Sequence, residues 1–131
     1  MRKTRPDVPD AELAVLKALW DRGPATIREI TDKLYPGGEI SHYATVQKLL
    51  ERLRARGHVS RRRKGNVNEF AARLARDDLI RHRLRDTADK LCEGSMTPLL
   101  TQLVHTRGLG AEELAELRAL IDRLEKEGGS R

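Results

Sequence analysis

The side chains able to do chemistry in this chain fall into two groups. The first is scattered. His42, His58, His82 and His105 share no spacing that would gather them around a metal, and His82 and Cys92, ten residues apart on one helix, cannot form a local chelate. The acid pairs Asp77-Asp78 and Glu112-Glu113 stand where helices begin, and the positive end of the helix dipole accounts for them without catalysis. No nucleophile, base or ligand set converges, so the sequence predicts neither an enzyme nor a bound metal or cofactor. The second group is dense and cationic. Between residues 41 and 64 there are eight Lys and Arg against one acid, Glu51. Charge of that density attracts phosphates and steers association with nucleic acid.

The elements that must hold those cations are legible in the same stretch. Val46, Leu49, Leu50 and Leu53 recur at i, i+3, i+4 and i+7, one apolar helical stripe. Ser41, Ala44, Thr45, Lys48 and Arg52 then fall on the other side of the cylinder. Ser41 is the expected N-cap, and Gly57 the expected stop. From His58 an extended run begins; Arg62-Arg63-Lys64-Gly65-Asn66 is expected to turn it, and Val67 to Phe70 to return in alternation. A helix with a small-plus-basic face followed at once by a basic hairpin is the recognition helix and wing of a winged helix-turn-helix.

Ranked by chemistry, Thr45 and Ala44 offer methyl groups to a thymine methyl, and Lys48 reaches a guanine edge or a phosphate. Ser41 and Tyr43 sit at the helix start, near the backbone. Arg61, Arg62, Arg63 and Lys64 supply phosphate contacts and therefore affinity more than sequence reading. Arg52 is balanced between a phosphate contact and pairing with Glu51.

The bulk figures agree. Of 131 residues 3% are aromatic and 35% charged, a poor composition for a deep enzyme pocket. Residues 1–73 carry 16 basic against 9 acidic side chains, and residues 74–131 carry 10 against 11. A single cysteine excludes an intramolecular disulfide. No 18-residue apolar run and no apolar signal core follow the N-terminus, so a soluble cytoplasmic protein away from the membrane is expected.

Residues 1–9 read as a loose arm. Asp10 is the expected cap of a first helix with Leu13, Leu16, Leu19 and Trp20 buried, and Gly23-Pro24 ends it. Thr26 and Glu29 have capping-box spacing at the head of a second helix, and Pro36-Gly37-Gly38 turns into the third. Three amphipathic helices follow, near 77–93, from Met96, and from Ala111. The whole reads as mostly α with a small β-hairpin: a winged-helix domain over 1–74, then a three-helix region over 75–131. A half so small has difficulty burying its own stripes. Leu84, Leu91, Leu100, Leu103, Leu114, Leu117, Ile121 and Leu124 are thus expected to form a homodimer surface. A competing reading makes the winged helix a protein-interaction module with a merely solubilising basic face.

The order of these parts resembles the bacterial penicillinase repressor family. The match is carried by Asp10-Ala11-Glu12, Leu19-Trp20 and Gly23 to Ile30, by Tyr43 to Leu50 with Arg52-Leu53 and Gly57, and by Arg63 to Val67. Gly94-Ser95, Leu109, Glu112-Glu113 and Leu117 continue it. The resemblance implies a homodimeric transcriptional repressor, N-terminal winged helices on a double-stranded, palindromic operator, and C-terminal helices for dimerisation. In the antibiotic-resistance members a membrane sensor leads to proteolysis in the C-terminal half, at a position that corresponds here to Gln102-Leu103. The family pattern there is Asn-Phe, from which this chain departs. Copper-responsive relatives carry paired cysteines near the C-terminus, where this chain has only Cys92.

Overall fold

The computed structural model describes residues 8–129, so most of the arm expected over 1–9 lies outside the described residues. The elements run α1 (Asp10–Arg22), β1 (Ala25–Thr26), α2 (Ile27–Leu34), α3 (Ile40–Ala55), β2 (Val59–Lys64), β3 (Val67–Ala72), α4 (Arg76–Leu91), α5 (Thr97–Arg107) and α6 (Ala111–Gly129). The chain divides into two compact units, Met1–Arg83 and Leu84–Arg131. The first reaches past the break expected after residue 74, because Leu79 of α4 is buried with the winged-helix core and Arg83 donates to the Val8 carbonyl at 2.8 Å.

In the first unit α1, α2 and α3 enclose one core. Val15, Leu16, Ile30, Val46, Leu50 and Leu53 are fully buried. These are the stripes that a 3.6-residue period lays along three helices. α2 starts on the expected capping box: the Glu29 amide donates to Thr26 Oγ1 at 3.2 Å, and the Thr26 amide to Glu29 Oε1 at 2.9 Å. Asp10 does not cap α1. Pro9 holds the cap position, its carbonyl accepting from the Leu13 amide, and Asp10 is the first helical residue, where it meets the dipole instead.

The sheet is larger than a hairpin. β3 lies between β2 and β1, all antiparallel, with Ala25 opposite Phe70 and Thr26 opposite Glu69. A two-residue strand is too short to show alternation. The hairpin also turns later than expected. β2 continues through Lys64 opposite Val67, so only Gly65 and Asn66 form the loop. Gly65 has φ +65°, at the first central position of a two-residue turn, where a type II′ geometry needs glycine.

In the second unit α5 carries Pro98 in its first turn and α6 its two acids, as expected. Among the described residues of this unit only Ala88 is buried.

Candidate nucleic-acid interface

α3 is built so that one face is spent on the core and the other is left to solvent. Ser41, Tyr43, Ala44, Thr45, Lys48 and Arg52 are all exposed, while Val46, Leu49, Leu50 and Leu53 are buried. Its start differs from expectation. Glu39 is the N-cap and Ile40 the first helical residue, so Ser41 stands one step inside the helix. His42 explains the shift. Its Nδ1 accepts from the Glu39 amide at 3.0 Å, and its ring stacks on Tyr35 with centroids 4.3 Å apart. The Ser41 carbonyl accepts from Thr45 Oγ1 at 3.0 Å. That bond uses the Thr45 proton and leaves its methyl and its lone pairs on the surface.

The other end of α3 closes on Gly57, with φ +83°. The His58 amide donates to the Leu53 carbonyl and the Gly57 amide to that of Arg54, the paired bonds of a Schellman cap. This reverses the chain directly into β2. Arg56 is anchored beside the turn, its Nη1 3.0 Å from Oε1 of the buried Glu12 on α1. This ion pair adds a polar tie between the turn after α3 and α1 to the apolar packing of the two helices.

All four hairpin cations, Arg61, Arg62, Arg63 and Lys64, are exposed, but they do not cap a turn. They occupy consecutive positions of β2, so alternation sends Arg62 and Lys64 to one face and Arg61 and Arg63 to the other. Glu69 lies 3.5 Å from Arg62 and 3.7 Å from Lys64. Arg63 Nε donates to the Gly65 carbonyl at 3.2 Å. One face of the strand is thus partly neutralised by an acid within the hairpin, and the other is not.

The helical projection places three more exposed residues on or beside the α3 face: Ile40, Gln47 and Glu51. Charge and small size do not mark them, although the same 100° steps that select Ala44 and Lys48 also select Gln47 and Glu51. Gln suits an adenine edge and Glu a cytosine amine. At the start of α2, Arg28 is exposed too.

Among the described residues no three His, Cys, Asp or Glu side chains gather where they could hold a metal, and no helix is long and apolar enough to cross a membrane. Of the residues singled out for association, Leu84, Leu91, Leu100, Leu103, Ile121 and Leu124 are exposed, and Leu114 and Leu117 are half-buried. Gln102 and Leu103 are exposed and lie inside α5.

Residues 8–123 match the penicillinase repressor family. The chain is 31% identical over 124 residues to the transcriptional regulator BlaI of Mycobacterium tuberculosis, covering 93% of this chain and 88% of that protein. To the penicillinase repressor of Bacillus licheniformis it is 23% identical over 120 residues, 92% of this chain and 93% of that one. The solution structure of the DNA-binding domain of the repressor BlaI superposes with a TM-score of 0.48 at 25% identity, covering 59% of this chain and 93% of that domain.

Proposed function

The chain belongs to the penicillinase repressor family of transcriptional regulators, and we propose on that premise that it represses transcription as a homodimer on a palindromic operator in the cytoplasm. One observation carries this reading. α3 buries every large aliphatic side chain after Ile40 and exposes Ser41, Ala44, Thr45, Lys48 and Arg52 on its free side, next to a strand of four exposed cations. A helix of that cross-section fits the major groove, with its N-terminal residues toward the base edges. The strand cations supply the sequence-independent share of affinity.

Dimerisation follows from the second unit. Leu100 and Leu103 on α5 and Leu120 and Leu124 on α6 are exposed at i, i+3 or i+4 spacing, and a second copy is the simplest cover for such a surface. Repression is then relieved by whatever separates these halves, a sensor or protease pathway included. Cutting at Gln102-Leu103 requires α5 to unwind locally, whereas separation of the seams does not.

The test uses full-length protein and duplexes enriched from a random library. The reading expects affinity that falls steeply with salt and a preference of roughly 10³-fold or more over random duplex. Thr45→Ala and Lys48→Ala should each cost about 1–3 kcal/mol on the enriched duplex and little on random DNA. A shallow salt slope with no enriched sequence would instead favour a protein-interaction module.

A further inference from the structure

The residue of the first unit that solvation leaves least explained is Ile40. It is 88% exposed, the most exposed large aliphatic side chain among the described residues. The cause is local. His42 is committed to the Glu39 amide and to the Tyr35 ring, and this fixes the first turn of α3 in one rotation. Gly38 holds the approach: a Cβ there would come within 2.8 Å of the Tyr35 carbonyl oxygen and 3.0 Å of His42 Nδ1. The turn is therefore closed down on α2, and Ile40 points away from the core.

Ile40 is not alone. With Tyr43, one turn on, it lines a groove of about 260 Å³ between the start of α3 and the α2 residues Arg28, Thr31 and Asp32. Asp32 and Glu39 on the lining disfavour a phosphate inside this groove, since two carboxylates would face it. The edge of a base pair suits it better, with its apolar methyl against Ile40 and its amine toward an acid. Arg28 on the lip is placed to meet the adjacent backbone.

We propose that Ile40, with Tyr43, is a specificity-determining residue that packs on a thymine methyl in each half-site, while Arg28 anchors a neighbouring phosphate. This inference rests on the DNA-reading function above and sharpens it. It assigns base reading at one position to hydrophobic contact rather than to a hydrogen bond. Ile40 is the first residue of a helix whose N-terminal end is the part directed at base edges in this class of motif, so its exposure has an occupant.

The experiment replaces thymine by uracil, one position at a time, in a duplex enriched by the full-length protein. Uracil deletes the methyl and keeps the base pair. At one thymine per half-site the wild type should lose about three- to fivefold in affinity, the worth of one buried methyl. Ile40→Ala should bind the thymine duplex roughly tenfold more weakly and be indifferent to uracil at that position. Ile40→Val should fall between. Because the side chain is exposed, the variants should melt like the wild type, which a thermal scan checks. The inference is overturned if Ile40→Ala keeps the wild-type thymine-to-uracil ratio at every position, or binds as tightly as the wild type. Enrichment of no sequence at all would overturn the DNA-reading function itself, a different outcome from an operator bound without any methyl contact.

Discussion

The two units of this chain use leucine in opposite ways. In the first, Leu16, Leu50 and Leu53 have no exposed surface, and three helices plus a strand of sheet meet over them. In the second, Leu91 is 79% exposed and Leu100 and Leu124 are each more than half exposed, on helices that also carry recurring apolar residues. The period of a hydrophobic stripe therefore reports that a face will be covered, but not by what. The first unit has the number of elements needed to cover its own faces. The second, Leu84–Arg131 with two helices and the end of a third, does not. Its exposed apolar surface is the expected mark of a partner.

The largest test breaks the second half of that comparison. Ile121→Glu with Leu124→Glu places charge in the α6 seam, where both side chains are exposed in one chain. The full-length variant is expected to sediment as a monomer and to lose about 10²–10⁴ in operator affinity, because linking two half-sites multiplies affinity by that order without new contacts. A fragment of residues 1–83, which keeps Leu79 and Arg83, should fold and bind equally weakly. A variant that still sediments as a dimer would move the association surface elsewhere.

Core truncation sharpens the contrast. Leu50→Ala removes a fully buried side chain and should cost about 2–5 kcal/mol of unfolding free energy. That loss should be the same at every protein concentration. Leu124→Ala should show a loss that shrinks on dilution, because the association it weakens contributes less to stability as the protein is diluted. Chemical denaturation at two concentrations separates the two behaviours. A loss that is the same at both concentrations for both variants would mean that the second unit holds itself together.

Within the first unit the hairpin offers a finer comparison. Arg62 shares Glu69 with Lys64, whereas Arg63 faces away from that acid. Arg63→Ala should flatten the salt dependence by roughly one unit, the share of one phosphate contact, and weaken specific and random DNA alike. Arg62→Ala should do so by less, and Glu69→Gln should tighten binding. Equal slopes for all three variants and the wild type would remove this strand from the interface.

How much of this was legible in the sequence depends on the length over which a pattern repeats. The stripe Val46, Leu49, Leu50, Leu53 spans two turns, and its burial follows from periodicity alone. The capping box of Thr26 and Glu29 is local chemistry and reads directly. What escaped was settled by contacts between distant segments. β1 is two residues long and exists because Phe70 and Glu69 pair with it. Ser41 had the right chemistry for a cap, but the stacked pair of His42 and Tyr35 moved the helix start to Glu39. The four cations looked like a turn because Arg-Arg-Lys-Gly-Asn is polar, yet strand pairing carried them to Lys64. In the candidate interface, the residues chosen for charge or small size were the exposed ones. The exposure of Ile40 is not legible in the sequence, because an aliphatic side chain ordinarily signals core.

The smallest expected effect concerns a polar flaw in the otherwise well-covered first unit. His58 sits in the turn between α3 and β2, 8% exposed, with no hydrogen-bond partner for Nε2. Burial, first, and the nearby Arg56 guanidinium, second, lower its pKa below the usual 6.5, while Glu12 opposes them. A lowered histidine pKa means that the unfolded chain takes up the proton first as pH falls. The stability tied to neutral His58 is therefore fully present above about pH 6.5 and is lost as pH falls from there through the folded-state pKa. Glu29, whose carboxylate is held below its ordinary 4.5 by the Thr26 amide, titrates lower and leaves this window clear. His58→Phe should abolish that dependence while filling a similar volume. The thermal midpoint of the wild type should drop by more than that of the variant between about pH 7.5 and 5.5, the range that spans the unperturbed histidine value. Parallel curves for the two proteins would show that His58 finds a proton as easily folded as unfolded, and that the turn beneath the recognition helix is more open than its burial indicates.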